Sequence, residues 1–356
     1  MPYQGSKNKV FSRYNTAVLI VFFVIAVAAL TVASFRYFNE LKVHEQRLLA
    51  DLTRQADALN NKLQQSVQAI TGIQRFANYY LQYPQELTVK PPRFIQEGKQ
   101  YYLDKPAHDV IHQGKLLSGN ITGTGFVKSF DRQMREELAM ASALTPAFVT
   151  AEKINPDATW FYYLSINRFI NLYPWLGRSN WRYTDKLLAS GNVYQIKKAG
   201  LNNKKFYWSP PFRDTASKSM KVSLGTGVYR DQQFTGALVV DIDLESMQKS
   251  LPEPSSPEHG IVLINEKKEV LTYKSRASAK VALGLSWSDI IPQEIAALTA
   301  AEFDQLADSA KVGQWLVQKH TLPVNGWILL KFQPYHDLLR RYSIILFLSF
   351  PCFLPV

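Results

Sequence analysis

The chain is nearly without cysteine: Cys352, close to the C-terminus, is the single one among 356 residues. No disulfide framework and no cysteine-based metal centre can form within one chain, so a domain outside the cytoplasm has to stand on its hydrophobic core. The six histidines are dispersed with no pair at metal-ligand spacing. Asp241 and Asp243, two apart on a strand, point the same way and make a poor cation site. GxxxxGK[ST], GxSxG and HExxH are all missing, as are GGDEF and EAL stretches. The reading is therefore of no cofactor, no metal and no catalytic constellation. His44, in VHEQR, reads as a solvated helix position. The formal net charge is +12, yet the lysines and arginines are scattered, with no basic helix or stripe to carry nucleic-acid binding. Such a balance suits a surface facing an anionic membrane.

What is present begins with a membrane signal. Residues 14–35, YNTAVLIVFFVIAVAALTVASF, carry no charge. As a helix they reach roughly 33 Å, enough for a hydrocarbon core of about 30 Å. Lys7, Lys9 and Arg13 precede them, which leaves residues 1–13 in the cytoplasm by the positive-inside rule. The run is longer than a signal-peptide core, so it reads as an uncleaved anchor. A second apolar stretch, 342–356, follows Arg340 and Arg341 and contains Pro351 and Pro355. At about 22 Å it is short of a full span, and it reads as the start of a second transmembrane segment that is cut off. Residues 36–341 are then expected outside the cytoplasm.

Behind the anchor, 36–83 reads as one long helix. Leu49, Leu52, Ala56, Leu59, Leu63, Ile70 and Ile73 follow a 3-4 rhythm, with Ser66 at the one weak position. Such a stripe packs on its own domain, seals a parallel dimer, or does both along different parts of its length. Pro84 and the Pro91–Pro92 pair end it. A mixed region follows, then a helix in FDRQMREELAMASALTPAF to about Leu144. Strands are expected at 160–166, 170–175, 219–230 and 234–244, the last two joined as a hairpin through YRDQQF, with an amphipathic helix at 181–190. LPEPSSPE, 251–258, reads as a linker. Beyond it come strand, turn and strand in HGIVLINEKKEVLTY, short helices in 286–307, and two strands in GQWLVQKHTLP and GWILLKFQP. The fold class is α+β: a transmembrane helix, a long N-terminal helix, and two tandem PAS-like modules with antiparallel sheets, at 84–250 and 259–341.

Three stretches carry a family resemblance: FYWSPPFRDTASKSMKVSLGTGVYRDQQFTGALVVDIDL, HGIVLINEKKEVLTY and WLVQKHTLPVNGWILLKFQPYHDLL. In this order, flanked by membrane signals, the chain resembles the double Cache family of bacterial sensor ectodomains. WFYYLSINRFINLYPW is similar to segments of receptors with diguanylate cyclase or histidine kinase outputs, and no such output domain is present here. The resemblance implies an inner-membrane location with a periplasmic or extracellular sensor, a distal module at 84–250, a proximal one at 259–341, and no enzymatic activity in this chain. It also implies a small-molecule ligand, a lipid bilayer and a homodimer through the N-terminal helix as partners.

Some members bind amino acids or amines with the pattern Tyr, four residues, Arg, one residue, Trp, then Tyr-x-Asp and a final Asp. Tyr173 and Arg178 match in spacing. Trp181 comes one residue late, Phe212 stands in place of the second tyrosine, and Asp214 and Asp241 match the two acids. In that pattern Arg178 clamps a carboxylate, Trp181 stacks or donates its indole N–H, and the two acids accept from an ammonium. Against this, Asp214 in FRDTAS reads equally as a turn cap, and Arg178 as the partner of a neighbouring acid. Two rival functions remain at this level: a binding protein that works through a partner subunit without an output domain, and a membrane-anchored hydrolase, which the lack of a catalytic constellation disfavours.

Overall fold

The structure is a computed structural model and describes residues 4–84, 92–103, 105–106, 111–112, 115–116, 118–189, 191–201, 205–276 and 287–340. The second apolar stretch, 342–356, lies outside the described residues. Helix α1 runs unbroken over Gln4–Gln82. No proline falls within it, and Pro84, which lacks the N–H that a further turn needs, comes directly after its end. Its first part is long and apolar enough to cross a membrane, and there Leu19, Ile20, Phe22, Phe23 and Phe35 are all exposed.

From Leu41 onward the same helix buries one face. Leu52, Ala56, Leu59, Leu63, Val67, Ile70, Ile73 and Ala77 belong to the main core. This corrects one use expected of the stripe: it is taken up by the chain's own core and is not free to seal a dimer. Ser66, the weak position in the rhythm, is buried as well, and its hydroxyl accepts from Asn155 Nδ2. The outward face of this part carries Arg47, Arg54, Asp57, Asn61, Lys62, Gln65, Gln68 and Arg75.

Against α1 stand two antiparallel sheets. The large one comprises β1 (Phe94–Glu97), β2 (Gln100–Leu103), β5 (Asn120–Thr124), β6 (Ala158–Ser165), β7 (Phe169–Tyr173), β8 (Tyr207–Trp208), β9 (Phe212–Arg213), β10 (Met220–Arg230) and β11 (Gln233–Asp243). Its order is β1-β2-β5-β7-β6-β11-β10-β8, with β9 also on β10. A separate hairpin joins β3 (Ile111–His112) to β4 (Lys115–Leu116). The small sheet holds β12 (Gly260–Ile264), β13 (Val270–Ser275), β14 (Ser309–Val312), β15 (Trp315–Thr321) and β16 (Ile328–Pro334), in the order β13-β12-β16-β15-β14.

Strand alternation gives the large sheet two buried faces. Phe161, Tyr163, Phe169, Tyr173, Leu224, Leu238 and Val240 face α1 together with α2 (Arg132–Ala143) and α3 (Thr145–Ile154). Leu164, Ile170, Leu172, Ala237 and Val239 form a second core on the opposite face, covered by α4 (Lys186–Ala189) and α5 (Asn192–Leu201). Gly225 lets α5 approach, since a Cβ there would stand 2.3 Å from Ile196 Cδ1. The β10–β11 turn places Asp231 and Gln232 at φ 48° and 66°, as a tight hairpin turn requires.

Several local expectations need adjusting. The helix expected to Leu144 does stop there, but Pro146 opens α3 and does not end helical structure, because proline is tolerated in a first helical turn. The strand expected at 170–175 ends at Tyr173, where the bond to Pro174 is cis. The helix expected over 181–190 shrinks to Lys186–Ala189, because Tyr183 is tied instead to β5, its N–H donating to Thr122 Oγ1 at 2.6 Å. The segment 251–258, expected as a linker, follows α6 (Leu244–Ser250) and forms neither helix nor strand. Lys274 Nζ reaches across it to the Leu251 carbonyl and Glu253, both at 2.7 Å. The short helices after β13 are α7 (Trp287–Ile290), α8 (Gln293–Ala296) and α9 (Ala300–Gln305), the last opened by a Thr299–Glu302 capping box.

Leu63 is 2% exposed in the core that α1 shares with both sheets. Leu63→Ala is expected to destabilise the fold by about 2–5 kcal/mol, measurable by denaturant unfolding of the solubilised chain. Gln65→Ala, on the outward face, should change it by less than about 0.5 kcal/mol.

Candidate functional site

On the face of the large sheet away from α1 lies a cavity of about 490 Å³. Its floor is set by alternation: Trp160, Tyr162 and Leu164 from β6, Ile170 and Leu172 from β7, Val239 and Asp241 from β11. Its walls come from Leu176 and Trp181 in the loop after β7, from Leu187, Asn192 and Val193, and from the Ser209–Ala216 segment. A wider groove of about 920 Å³ at the β10–β11 turn and a cleft of about 590 Å³ between the sheets gather none of the six residues expected from the sequence.

Of those six, the structure brings together Trp181, Phe212, Asp214 and Asp241. Tyr173 and Arg178 are corrections. Tyr173 neighbours Leu172 on β7, so it must face the other way. It is fully buried beside Phe148 and Phe161, with its hydroxyl donating to Glu152 at 2.5 Å. Arg178 sits at the tip of a turn in which Asn180 and Trp181 both donate to the Gly177 carbonyl. That turn returns Trp181 to the cavity and sends Arg178 outward. There it pairs with Glu97 and lies 4.3 Å from the centre of the Tyr102 ring. The reading of Arg178 as the partner of a neighbouring acid is the one that matches.

Asp214 is a turn cap and a cavity residue at once. Its carboxylate accepts from the Ala216 N–H at 3.2 Å, the Ser217 N–H at 3.0 Å and the Ser217 hydroxyl at 2.6 Å. Trp160 Nε1 donates to it at 3.0 Å, and Lys221 Nζ stands 2.9 Å away. Burial alone would raise its pKa, but the hydrogen bonds from Ser217 and Trp160 and the Lys221 ammonium outweigh it and hold the carboxyl well below the usual range. Asp241 differs. It is 5% exposed and accepts from Ser223 Oγ at 2.6 Å, with the Tyr162 hydroxyl at 3.5 Å. Burial dominates there and pushes its pKa up to about 7, against the lowering pull of Ser223 and Lys221. Asp243, two residues on, caps α6 by accepting from the Ser246 N–H at 2.9 Å.

The residue missed in the sequence is Lys221. It lies on β10 with its side chain wholly buried beside Asp214 and 5.0 Å from the centre of the Trp160 ring, and its charge also acts on Asp241. The available signal was its place in SMKVSLGTGVYR, a lone cation among the inward positions of an apolar strand.

Residues 128–249 match the family model of the first PDC sensor domain of methyl-accepting chemotaxis protein-like receptors. Over this third of the chain the sequence is similar to a PDC-type sensor domain. Every residue lining the cavity, from Trp160 to Asp241, falls within that segment, and the resemblance to the Cache family is borne out. No curated protein matches the chain. Among solved structures, the ligand-binding domain of Mlp24 with asparagine is 12% identical, with 85% of this chain and 99% of that one covered at a TM-score of 0.48. The ligand-binding domain of the Pseudomonas fluorescens chemoreceptor CtaA with L-isoleucine is 10% identical, with 83% and 94% covered at 0.46. The sensory domain of the Campylobacter jejuni chemoreceptor Tlp3 with isoleucine bound is 13% identical, with 82% and 95% covered at 0.41.

The two acids of the cavity should respond to pH in opposite directions. Asp241 has a folded pKa above its unfolded one, so its contribution is complete below about pH 4 and is lost as pH rises through about 7. Asp214 has a depressed folded pKa, so its contribution is present above the usual carboxylate range and is lost at lower pH. Melting temperature measured from pH 4 to 8 should therefore fall less steeply toward pH 8 in Asp241→Asn than in the wild type. Identical slopes would contradict the burial assigned to Asp241.

Proposed function

We propose that this chain is a membrane-anchored, extracytoplasmic sensor that binds a small organic solute in the 490 Å³ cavity and signals across the inner membrane of a bacterium. The observation that carries the reading is the coincidence of the cavity with the segment that matches a sensor family. In this reading residues 14–35 are the anchor, 36–83 the signalling helix, 84–250 a membrane-distal Cache module, 251–258 a linker and 259–341 a membrane-proximal module. The strand order of the small sheet supports a second PAS-like unit: numbered from its own first strand, it runs 2-1-5-4-3.

Binding in the distal module would act by population shift, favouring whichever arrangement of α1 and the sheets closes the loops over the solute. A homodimer in this reading pairs through the exposed apolar span and the polar outer face of α1, since the leucine stripe is already buried. The ligand is recognised by an aromatic and aliphatic enclosure with one polar end, which suits a solute of single-ring size.

The test is thermal-shift screening of the full chain in detergent against amino acids, amines, carboxylates and small neutral aromatics. A solute that binds should raise the melting temperature in proportion to RT ln(1 + [L]/Kd). Leu176→Trp, which intrudes on the cavity from its wall, should weaken that solute by about tenfold or more, or about 1.4 kcal/mol. Arg178→Ala should leave it within about twofold, about 0.4 kcal/mol. Responses that ignore Leu176→Trp would sink the cavity as the sensing site.

A further inference from the structure

Two carboxylates at one end of an aromatic cavity would hold a solute's ammonium group if their charge were free to do so. Here it is not free. Lys221 is 0% exposed, its ammonium is 2.9 Å from Asp214 Oδ2, and its charge also acts on Asp241. The Trp160 ring, 5.0 Å from the ammonium, supplies the aromatic face that a bound cation would use. We propose that Lys221 is a resident ammonium buried behind the polar end of the cavity, where it neutralises Asp214, and that the site therefore selects uncharged solutes with an aromatic or aliphatic body and rejects those carrying an ammonium group. This deepens the sensor reading above and rests on it.

Three further observations bear on it. The Asp214 Oδ2 oxygen is crowded by the Ser217 N–H and hydroxyl, Trp160 Nε1 and the Lys221 ammonium, while Oδ1 accepts from the Ala216 N–H. A second cation at this end would meet the Lys221 charge in a desolvated setting, where like charges repel strongly. Finally, burial keeps Asp241 protonated over much of the range up to neutral pH, so it can donate to a hydroxyl or carbonyl where an ionised acid would demand a cation. The remaining enclosure, including Leu164, Leu172, Trp181, Val193 and Phe212, offers apolar contact.

The deciding experiment is chemical rescue on the full chain in detergent. Lys221→Ala removes the side chain, leaving a space of matching size beside Asp214. The variant should melt below the wild type and regain about 3–5 °C with saturating n-propylammonium, but not with n-propanol. Wild type and Lys221→Met, which keeps the length without the charge, should not respond to n-propylammonium. A folded Lys221→Ala that n-propylammonium leaves unchanged overturns the proposal. So does stabilisation of the wild type by benzylammonium that Asp214→Asn abolishes, a result that does not depend on the alanine variant folding. Either outcome leaves the sensor reading standing, because that reading fails only if no solute response depends on Leu176→Trp.

Discussion

One helix face holds this molecule together. The stripe of α1 from Leu52 to Leu81 shares a single core with the large sheet, through Leu224, Leu238 and Val240, and with the small sheet, through Ile261, Leu263 and Leu329. Nearer the apolar span, Leu41 packs on Leu316 and Leu338 in a separate cluster. Because interiors are close-packed, neither sheet can shift far along α1 without opening a void in a core that also contains the other. The same helix continues as the apolar span, so the two sheets and that span share one rigid element.

Polar contacts fix the register of that packing. Gln74 Nε2 donates to Thr226 Oγ1 at 2.9 Å and to the Gly227 carbonyl at 2.6 Å, both on β10. Asn78 Oδ1 accepts from the Tyr229 N–H at 3.0 Å. On the small sheet, Asn60 Oδ1 accepts from the Val324 N–H at 3.0 Å, and the Glu45 carbonyl accepts from Gln318. The sheets also meet directly through the Trp208–Trp327 edge contact, with ring centres 5.0 Å apart. Hydrophobic contact is non-directional and sets this register less sharply, since Leu and Ala recur along the stripe. The directed bonds set it sharply, because each lost partner leaves a partly buried polar group unsatisfied.

Most of the architecture was legible from local chemistry. The heptad stripe, the β10–β11 hairpin and four of the strands after it follow from patterns of 3.6 and 2 residues. What was not legible has a common cause. β6 and β7 are apolar on both faces, Leu164 and Leu172 on one side and Phe161, Tyr163 and Tyr173 on the other. Alternation alone therefore says which residues share a face, but not which face carries the cavity. Spacing in sequence put Tyr173 beside Arg178, yet parity puts Tyr173 with the α1 core. The one-residue insertion before Trp181 decided the fate of Arg178, because it is accommodated by a turn whose tip is Arg178 itself. β1, β2 and β5 were read only as a mixed region, since short strands such as FIQE and NITGT lack a run long enough to show alternation.

The placement of charge in the cavity ties the site back to α1. On β10, Lys221 and Ser223 face the cavity acids, while Val222, Leu224 and Thr226 face the helix. A strand is one residue thick, so any movement of Asp214 or Asp241 that drags Lys221 or Ser223 is felt at once by the next residue, on the α1 side. The Asp214 turn is exposed at Thr215 to Lys218, whereas β10 is held on both edges, by β11 and by β8 and β9. The soft part of the site is therefore the turn and the stiff part is the strand. In the proposed sensor a solute does its work by where it sets the turn, and the buried Lys221–Asp214 pair is the link through which that setting reaches β10 and the helix behind it.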